Sequence, residues 1–434
     1  MTAPPGLAAG PPPGRPDPPP GRPAPLWRRR SFMLLWTGQA VSEVGSQVTG
    51  VAVPLVALLT LHASTFEVAL LSAANGAAFL FVALQAGAVI DRVRKRPVLL
   101  STDLARALLL ATVPVAQAFG ALTLAQLYAV ALLSSVLTVF FDVAYQSVLP
   151  LLVEPDQLVD GNGKIGASQS FAQLGGPPLG GLLVAAVGGA YAVAVDAASF
   201  LVSTAATAAM GVDEPRPAPA AAGRRLGTEI REGLGFVLRH PVLAKVVGCT
   251  GTANFFSGMS GAVEVVFLVR VLHAGSAVVG LVFGLSAVGG LLGAATSGWI
   301  SRRVGSARTI WLSLSVTAPF ALLGPLAFPG WGVLLLTAAA AVTSFGAVVY
   351  NTAQVSYRQA ITPARLLGRM NASVRFVVWG TIPVGALLGG VLGSLLGVRA
   401  TLLVAALGGC TAGLWVIFSP LFGRRDVPAA DAAS

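Results

Sequence analysis

Long apolar runs follow one another along almost the whole of this 434-residue chain. Only 10% of its residues are charged and the mean hydropathy is +0.78, whereas soluble proteins carry about 25% charged residues. A helix of about 20 apolar residues spans the hydrocarbon core of a bilayer. The sequence therefore predicts an all-α membrane protein with twelve transmembrane helices. Their predicted positions are 33–61, 66–90, 98–119, 123–148, 165–187, 191–210, 242–270, 276–300, 308–328, 332–357, 370–394 and 399–421.

Basic residues are concentrated in the short polar stretches between these runs. Under this assignment only Arg270 and Arg399 fall on the face opposite all the others. Because basic loops stay in the cytoplasm, both termini are expected there. The net charge of +11 therefore marks membrane topology, and no nucleic acid partner is predicted. The abundance of Arg, Ala and Gly is typical of GC-rich bacteria, so we expect a multi-pass protein of the bacterial plasma (inner) membrane.

Polar segments divide the chain into two apolar halves. The N-terminus is rich in Pro, Gly and Ala and lacks the apolar core of a signal peptide. The stretch 224–239 is expected to form a short amphipathic helix, either on the membrane surface or in solvent. The predicted segments are a disordered Pro-rich tail at 1–30, an N-terminal six-helix bundle at 31–210, a cytosolic linker at 211–241, a C-terminal six-helix bundle at 242–423 and a C-terminal tail at 424–434.

The two halves repeat each other in sequence. Asn162 precedes the pair Gly180-Gly181 by the same interval that separates Asn371 from Gly389-Gly390. The loop sequence Ile-Asp-Arg at 90–92 recurs as Ile-Ser-Arg at 300–302. Parallel repeats of this kind are found in secondary transporters. The sequence therefore predicts two pseudo-symmetric six-helix bundles.

The loop between the second and third runs is short and strongly basic. Gly87 precedes Asp91 by four residues, and arginines follow at once. This Gly-x-x-x-Asp-Arg pattern resembles the loop 2–3 signature of the major facilitator superfamily of secondary transporters. We expect Asp91 to accept hydrogen bonds from the start of helix 11, near Met370 and Asn371, and so to act in a conformational gate. The expected gate residues are Gly87, Asp91, Arg92, Arg96 and Arg375.

The fifth run contains GGPPLGG, from Gly175 to Gly181. Its prolines remove backbone donors, and its glycines permit close helix contact. The motif resembles the Gly-Pro-x-x-Gly-Gly element of major facilitator exporters. Three further stretches make the chain similar to the macrolide-efflux and siderophore-export branch of that family: WTGQAVSEVGSQV in helix 1, DLARA in helix 3 and VDAASFLVS in helix 6. In that family helices 5 and 8, and helices 2 and 11, meet across the halves. The residues matched to the antiporter-like motif are Gly176, Pro177, Gly180 and Gly181.

Polar side chains recur at four-residue spacing in the first and fourth runs, and an acid interrupts the seventh. Residues four apart share a helix face, and ionisable residues inside a membrane are costly and usually functional. These residues are expected to line a central cavity, as helices 1 and 4 do in the family. Hydrogen bonds that merely close a helix pair are the structural alternative. The expected cavity residues for substrate and protons are Gln39, Glu43, Gln47, Thr138, Asp142, Gln146 and Glu264.

The resemblance implies a secondary transporter that exports amphipathic small molecules, by proton antiport. Because the ionisable residues expected in the cavity are acids, neutral or cationic substrates are favoured. Glu43 and Asp142 are expected to share one proton. The stretch 136–147 lacks the arginine that many drug/proton antiporters carry in helix 4, so the usual proton route does not transfer unchanged. A proton-coupled uptake permease and a transport-inactive ligand sensor are alternatives, and a monomer is expected.

No sequence pattern points to an enzyme, a cofactor or a metal site. The sequence Gly-Asn-Gly-Lys at 161–164 lacks the earlier glycine of a phosphate-binding loop. The three histidines and two cysteines are scattered, so they match no ligand spacing. A channel would need a pore-lining ring or filter, which two repeated halves around a polar cavity do not suggest.

Overall fold

The computed structural model describes residues 25–90, 92–211, 214, 235–362 and 364–426. Within these residues the chain forms one α-helix at each of the twelve predicted spans and no β-strand, which confirms the predicted fold class. Each helix coincides with one predicted span. The bounds are α1 Arg30–Leu55, α2 Thr65–Ile90, α3 Lys95–Ala118, α4 Leu124–Leu152, α5 Leu158–Val187, α6 Gly189–Ala209, α7 Pro241–Val266, α8 Ser276–Val304, α9 Ser306–Thr317, α10 Val333–Ile361, α11 Ala364–Leu395 and α12 Val398–Ile417.

The ninth helix departs most from its predicted span, 308–328. It is α-helical over 12 residues and continues as a 3₁₀ helix over Ala318–Leu323. Pro319 has no N–H group, so it cannot donate the next α-helical hydrogen bond. In the described part of the chain, 11 helices are long and apolar enough to cross a membrane. The ninth helix does not reach the length needed to cross a membrane because its α-helical part stops at Thr317.

The helices form two halves, α1–α6 and α7–α12. In the first half α1 packs on α5 and α6, and α3 packs on α4 and α6. In the second half α7 packs on α11 and α12, and α10 packs on α8 and α9. Between the halves α5 packs on α8, and α2 packs on α11. These two contacts are the ones that the family resemblance implied.

The two halves repeat each other closely where α1 and α7 end. Each helix passes into a π-helical turn, Val56–Thr60 or Phe267–Val271. A Leu-His-Ala sequence follows each turn, and its histidine has a positive φ, 52° at His62 and 53° at His273. The N–H of the following alanine donates back across the turn at 2.8 Å in both halves. Sequence analysis missed this repeat, which adds to those that predicted two parallel units.

Side chains from outside the spans cap two helices. The carboxylate of Glu214 accepts hydrogen bonds from the N–H groups of Lys95 and Arg96, at 2.8 and 2.7 Å, and so caps the start of α3. At the start of α7, His240 Nδ1 accepts from the N–H groups of Val242 and Leu243, at 3.3 and 3.2 Å. Burial lowers the pKa of His240, which favours the neutral ring that can accept these bonds. Of the predicted linker helix at 224–239, only 235–239 are described, and they are helical.

Buried apolar side chains join the halves at one end of the molecule. We call this the distal end, because it holds the turns after α1 and α7; the terminal end is where α1 and α7 begin. A single apolar cluster at the distal end combines Leu55 and Val56 of the first half with Phe267 and Val279 of the second. At the terminal end the clusters of described residues belong to one half each. The described structure is therefore closed at the distal end.

Candidate functional site

The polar residues of α1 form one continuous row. Gln39, Glu43 and Gln47 are all half-buried. Gln39 Nε2 donates a hydrogen bond to Glu43 Oε2 at 3.4 Å, and Gln47 lies on the other side of the carboxyl group. Four-residue spacing places the three side chains one helical turn apart. The Glu43 carboxyl group is therefore held between two amides.

The structure brings Asp142 of α4 towards Glu43. Asp142 and Thr138 are half-buried, whereas Gln146 is exposed. Glu43 acts electrostatically on Asp142, and so does Arg375 of α11 in the other half. Arg375 itself is exposed, with its guanidinium 5.4 Å from the ring of Trp379. The two acids thus face one region, and a cation of the second half borders it.

Arg106 of α3 is the main site residue that sequence reasoning missed. It is only 4% exposed and forms an ion pair with Asp103, three residues earlier. It also donates to Thr138 Oγ1 at 3.3 Å, while Ser203 donates to Asp103 Oδ2 at 2.6 Å. Both partners lie in the DLARA sequence, where an acid and an arginine share a helix face. That spacing inside an apolar run could have revealed the pair.

Aromatic rings of two further helices enclose the guanidinium of Arg106. It lies 4.5 Å from the ring centroid of Phe141 and 4.1 Å from that of Phe200. Cations over aromatic faces gain about 0.5–2 kcal/mol, more where water is excluded. Arg106 is therefore held by side chains from α3, α4 and α6 together.

Four carboxyl groups lie within electrostatic reach of the Arg106 guanidinium, of which Asp103 forms an ion pair with it. Arg106 acts electrostatically on Glu43, Asp103, Asp142 and Asp196. Asp196 is buried on α6, where Ser199 Oγ donates to its Oδ1 at 3.1 Å. Only one of the four negative charges can be balanced by Arg106, and unpaired buried charges are costly. The cluster as a whole is therefore suited to hold protons.

Arg106→Met is expected to destabilise the protein more than the double variant Asp103→Leu/Arg106→Met. Removing one partner of a buried ion pair costs about 3–5 kcal/mol because the other charge stays buried alone, whereas replacing both partners by apolar residues is often close to neutral. The melting temperature of the detergent-purified protein measures the difference. Equal melting temperatures for the single and double variants would show that the pairing with Asp103 contributes nothing.

Glu264 is not brought together with the acids of α1 and α4. It borders a separate cavity of about 470 Å³ inside the second half, together with Ser257 and Ser260 of the same helix. Among the described residues, no charged group acts electrostatically on it. The expected single cavity is therefore divided, with Glu43 and Asp142 in one half and Glu264 in the other.

The expected gate residues lie in different settings. Asp91 lies outside the described residues, and Arg92 is exposed. Arg96 donates to the carbonyl oxygens of Thr207 and Ala208 at the end of α6, at 3.3 and 2.6 Å, where the helix dipole favours a cation. No atom of a neighbouring helix lies within 4 Å of a Cβ built on Gly87, as far as the described residues show, so no close helix contact is seen at this expected gate residue.

The antiporter-like motif of α5 lies in close helix contacts on two sides. Cβ atoms built on Gly176 and Gly180 would meet Gln47 and Val48 of α1, the latter with its Cα at 3.0 Å. A Cβ built on Gly181 would lie 3.0 Å from Cα of Gly280 in α8. The carbonyl oxygen of Pro177, also in the motif, lies against the position of a Cβ built on Gly280. Only glycine allows backbones to approach this closely, so the motif positions α5 against both halves.

Comparisons with known proteins cover nearly the whole chain. A family model described as transmembrane secretion effector matches residues 21–432. The multidrug efflux pump Tap of Mycolicibacterium fortuitum is 26% identical over 415 residues, which cover 92% of this chain and 98% of that protein. The protein of the same name in Mycobacterium tuberculosis (strain ATCC 25618 / H37Rv) is 28% identical over 422 residues, 93% of this chain and 97% of that protein.

Solved structures with the same fold are more distant in sequence. A bacterial homologue of the iron transporter ferroportin in an inward-facing state superimposes with a TM-score of 0.73 at 16% identity, over 92% of this chain and 100% of that one. The nucleoside transporter NupG gives a TM-score of 0.70 at 12% identity, over 91% of this chain and 99% of that one. At such low identity these likenesses establish the fold alone. They confirm the expected architecture of two six-helix bundles.

Proposed function

We propose that this chain, which belongs to the transmembrane secretion effector family of the major facilitator superfamily, exports amphipathic small molecules from a bacterial cell. The observation that carries the proposal is the match, over more than nine-tenths of both chains, to relatives named multidrug efflux pumps. The chain is a multi-pass, non-enzymatic membrane transporter. Export as a monomer, with both termini in the cytoplasm, is part of the proposal.

Alternating access is the mechanism that the arrangement of the two halves supports. The distal end is closed by the shared apolar cluster and by Arg270, which donates a hydrogen bond across the halves to the carbonyl oxygen of Ala63. If the terminal end faces the cytoplasm, this is the state that admits substrate from inside the cell. Release then requires the distal contacts to separate while the terminal ends of the halves come together. Asp91 is proposed to stabilise that second state.

Proton antiport is the proposed energy source. Glu43 and Asp142 lie in the cluster of four carboxyl groups within electrostatic reach of Arg106, so protons are needed to keep the buried charge balanced. A pair that holds one proton can load it from outside and release it inside. Proton and substrate are then coupled through the change between the two states and not through direct contact. Neutral or cationic amphipaths are the proposed substrates.

Arg270→Met is expected to weaken the closure of the distal end. A hydrogen bond to a charged group contributes about 1.5–3 kcal/mol, so its loss shifts the balance of states about tenfold or more. The matched control is Arg399→Met, because Arg399 donates to Pro325 within one half. A cysteine introduced at buried Leu58, in a protein without its two native cysteines, reports the opening through its rate of labelling from outside. If the introduced cysteine is labelled at the same rate in Arg270→Met and in Arg399→Met, Arg270 does not contribute to closing the distal end.

The direction of transport is tested in cells that lack their major efflux pumps. Cells that express the protein are expected to accumulate less ethidium than cells with the empty vector, and an uncoupler that collapses the proton gradient should abolish the difference. Greater accumulation of ethidium would indicate the uptake permease instead. Unchanged accumulation, despite binding of ethidium to the purified protein, would indicate the ligand sensor.

A further inference from the structure

The cavity of the second half has an unusual lining. Its volume is about 470 Å³, and it lies between α7, α9, α10 and α12. Alanine, serine, threonine and glycine form most of its wall, and Glu264 is the one ionisable residue among the described residues that line it. Pockets that hold drug-sized molecules have volumes of about 300–1,000 Å³ and are mainly apolar with a few polar groups. The cavity fits this description.

The cavity exists because α7 and α10 pack on different partners. Helix α7 packs on α11 and α12, whereas α10 packs on α8 and α9. A gap remains between the two, bordered by Ser257 and Glu264 of α7 and by Thr343 and Ala347 of α10. The 3₁₀ segment after α9 forms another wall through Ala318 and Ala321. Small side chains on all sides leave the space open.

The corresponding space in the first half is filled by the Arg106 cluster. Counting from the starts of the equivalent helices, Asp103 and Arg106 of α3 correspond to Leu314 and Thr317 of α9. In the same way Thr138 of α4 corresponds to Ala347 of α10, and Ser203 of α6 corresponds to Ala412 of α12. All four counterparts line the cavity: Leu314, Thr317, Ala347 and Ala412. The second half therefore lacks a guanidinium at the place where the first half has one.

Glu264 also differs from the buried acid of the first half in what surrounds its carboxyl group. No hydrogen bond or ion pair to its carboxyl group is present among the described residues, and the residue is half-buried at the wall of the cavity. In the first half the buried carboxyl of Asp103 is matched by the guanidinium of Arg106 and the hydroxyl of Ser203. A half-buried carboxylate without such partners, at the wall of a mainly apolar cavity, favours a cation that can reach it.

We infer that this cavity binds the cationic group of the exported molecule, with Glu264 as its counter-ion. The inference rests on the proposed export function and assigns the substrate to the second half, while the acids of α1 and α4 carry protons. The substrate class is a monovalent cation with a bulky apolar body. Its charge lies beside Glu264, towards the distal end of the cavity, and its apolar part packs against the alanines of α10 and α12.

Binding of ethidium to the purified protein, measured by equilibrium dialysis, tests this assignment. Glu264→Gln is expected to weaken binding at least tenfold, and Glu264→Asp to restore most of it. Ala340→Phe fills the cavity and should abolish binding. The matched control is Ala338→Phe on the same helix, since Ala338 is exposed and does not line the cavity; it should bind as the wild type does.

Two outcomes would overturn the assignment. One is that wild-type protein binds no ethidium, and the other is that Glu264→Gln and Ala340→Phe bind it with wild-type affinity. Export is judged separately, from ethidium accumulation in cells. If the wild type and both variants expel ethidium equally, export stands and the cavity is not the substrate site. If binding follows the expected pattern and no cell expels ethidium, the cavity assignment stands and the proposed export function fails.

Discussion

Gly181→Val is expected to abolish ethidium export while the protein still reaches the membrane. A Cβ at this position would lie 3.0 Å from both the Cα and the N of Gly280, and closer still to the carbonyl oxygen of Ser276. These are backbone atoms of α8, so they cannot move aside as a flexible side chain could. Because α5 and α8 belong to different halves, the added side chain separates the surfaces that must slide during transport.

Gly175→Val is the matched control for this variant. It makes the same substitution six residues earlier on α5, where no described atom lies within 4 Å of the added Cβ. Both variants carry the same cost of a β-branched residue in a helix, so a difference between them reports the contact with α8. Export by Gly181→Val at the rate of Gly175→Val would show that close packing of α5 on α8 is not required.

Glu43→Gln is expected to abolish substrate accumulation driven by a pH gradient and to leave substrate exchange largely intact. Glutamine imitates the protonated carboxyl group, so the variant can still change conformation with substrate bound but cannot release a proton. Asp142→Asn should show a weaker form of the same defect, because Asp142 shares the region and is also influenced by Arg375. Counterflow in proteoliposomes measures exchange, and an imposed pH difference measures coupled accumulation.

Glu67→Gln provides the control for charge removal. Glu67 belongs to the first turn of α2, where its carboxylate accepts from the N–H of Ser64 at 2.7 Å, away from the Arg106 cluster. It should accumulate substrate as the wild type does. If Glu43→Gln vesicles still built a substrate gradient, Glu43 would be a structural residue, and Asp142 would be the next acid to test.

Hydropathy and repeats were sufficient to predict the number of helices and their division into halves. A helix needs about 20 apolar residues to span the bilayer, and such runs can be found from the hydropathy of successive windows of the sequence. Helix α9 shows where this reasoning stops. Its predicted span is mostly apolar, but Pro319 changes the hydrogen bonding, so that a 3₁₀ segment replaces the last α-helical turns. Hydropathy reports where a segment lies and not how its backbone is bonded.

The polar network was only partly predictable. Spacing within one helix placed Gln39, Glu43 and Gln47 in a row, because that pattern depends on a single helix. The position of Arg106 depends on the packing of α3 against α4 and α6, which no spacing within one helix reveals. The separation of Glu264 from Glu43 likewise depends on which helices of each half touch. Contacts between residues on different helices can be identified only from the structure.

The central claim, proton-driven export, is tested most directly with inside-out membrane vesicles made from cells that express the protein. The lumen of such vesicles corresponds to the outside of the cell. When respiration acidifies the lumen, wild-type vesicles are expected to accumulate ethidium against its gradient, and an uncoupler should release it. Accumulation that needs no acid lumen would contradict proton coupling, and accumulation only in right-side-out vesicles would contradict export.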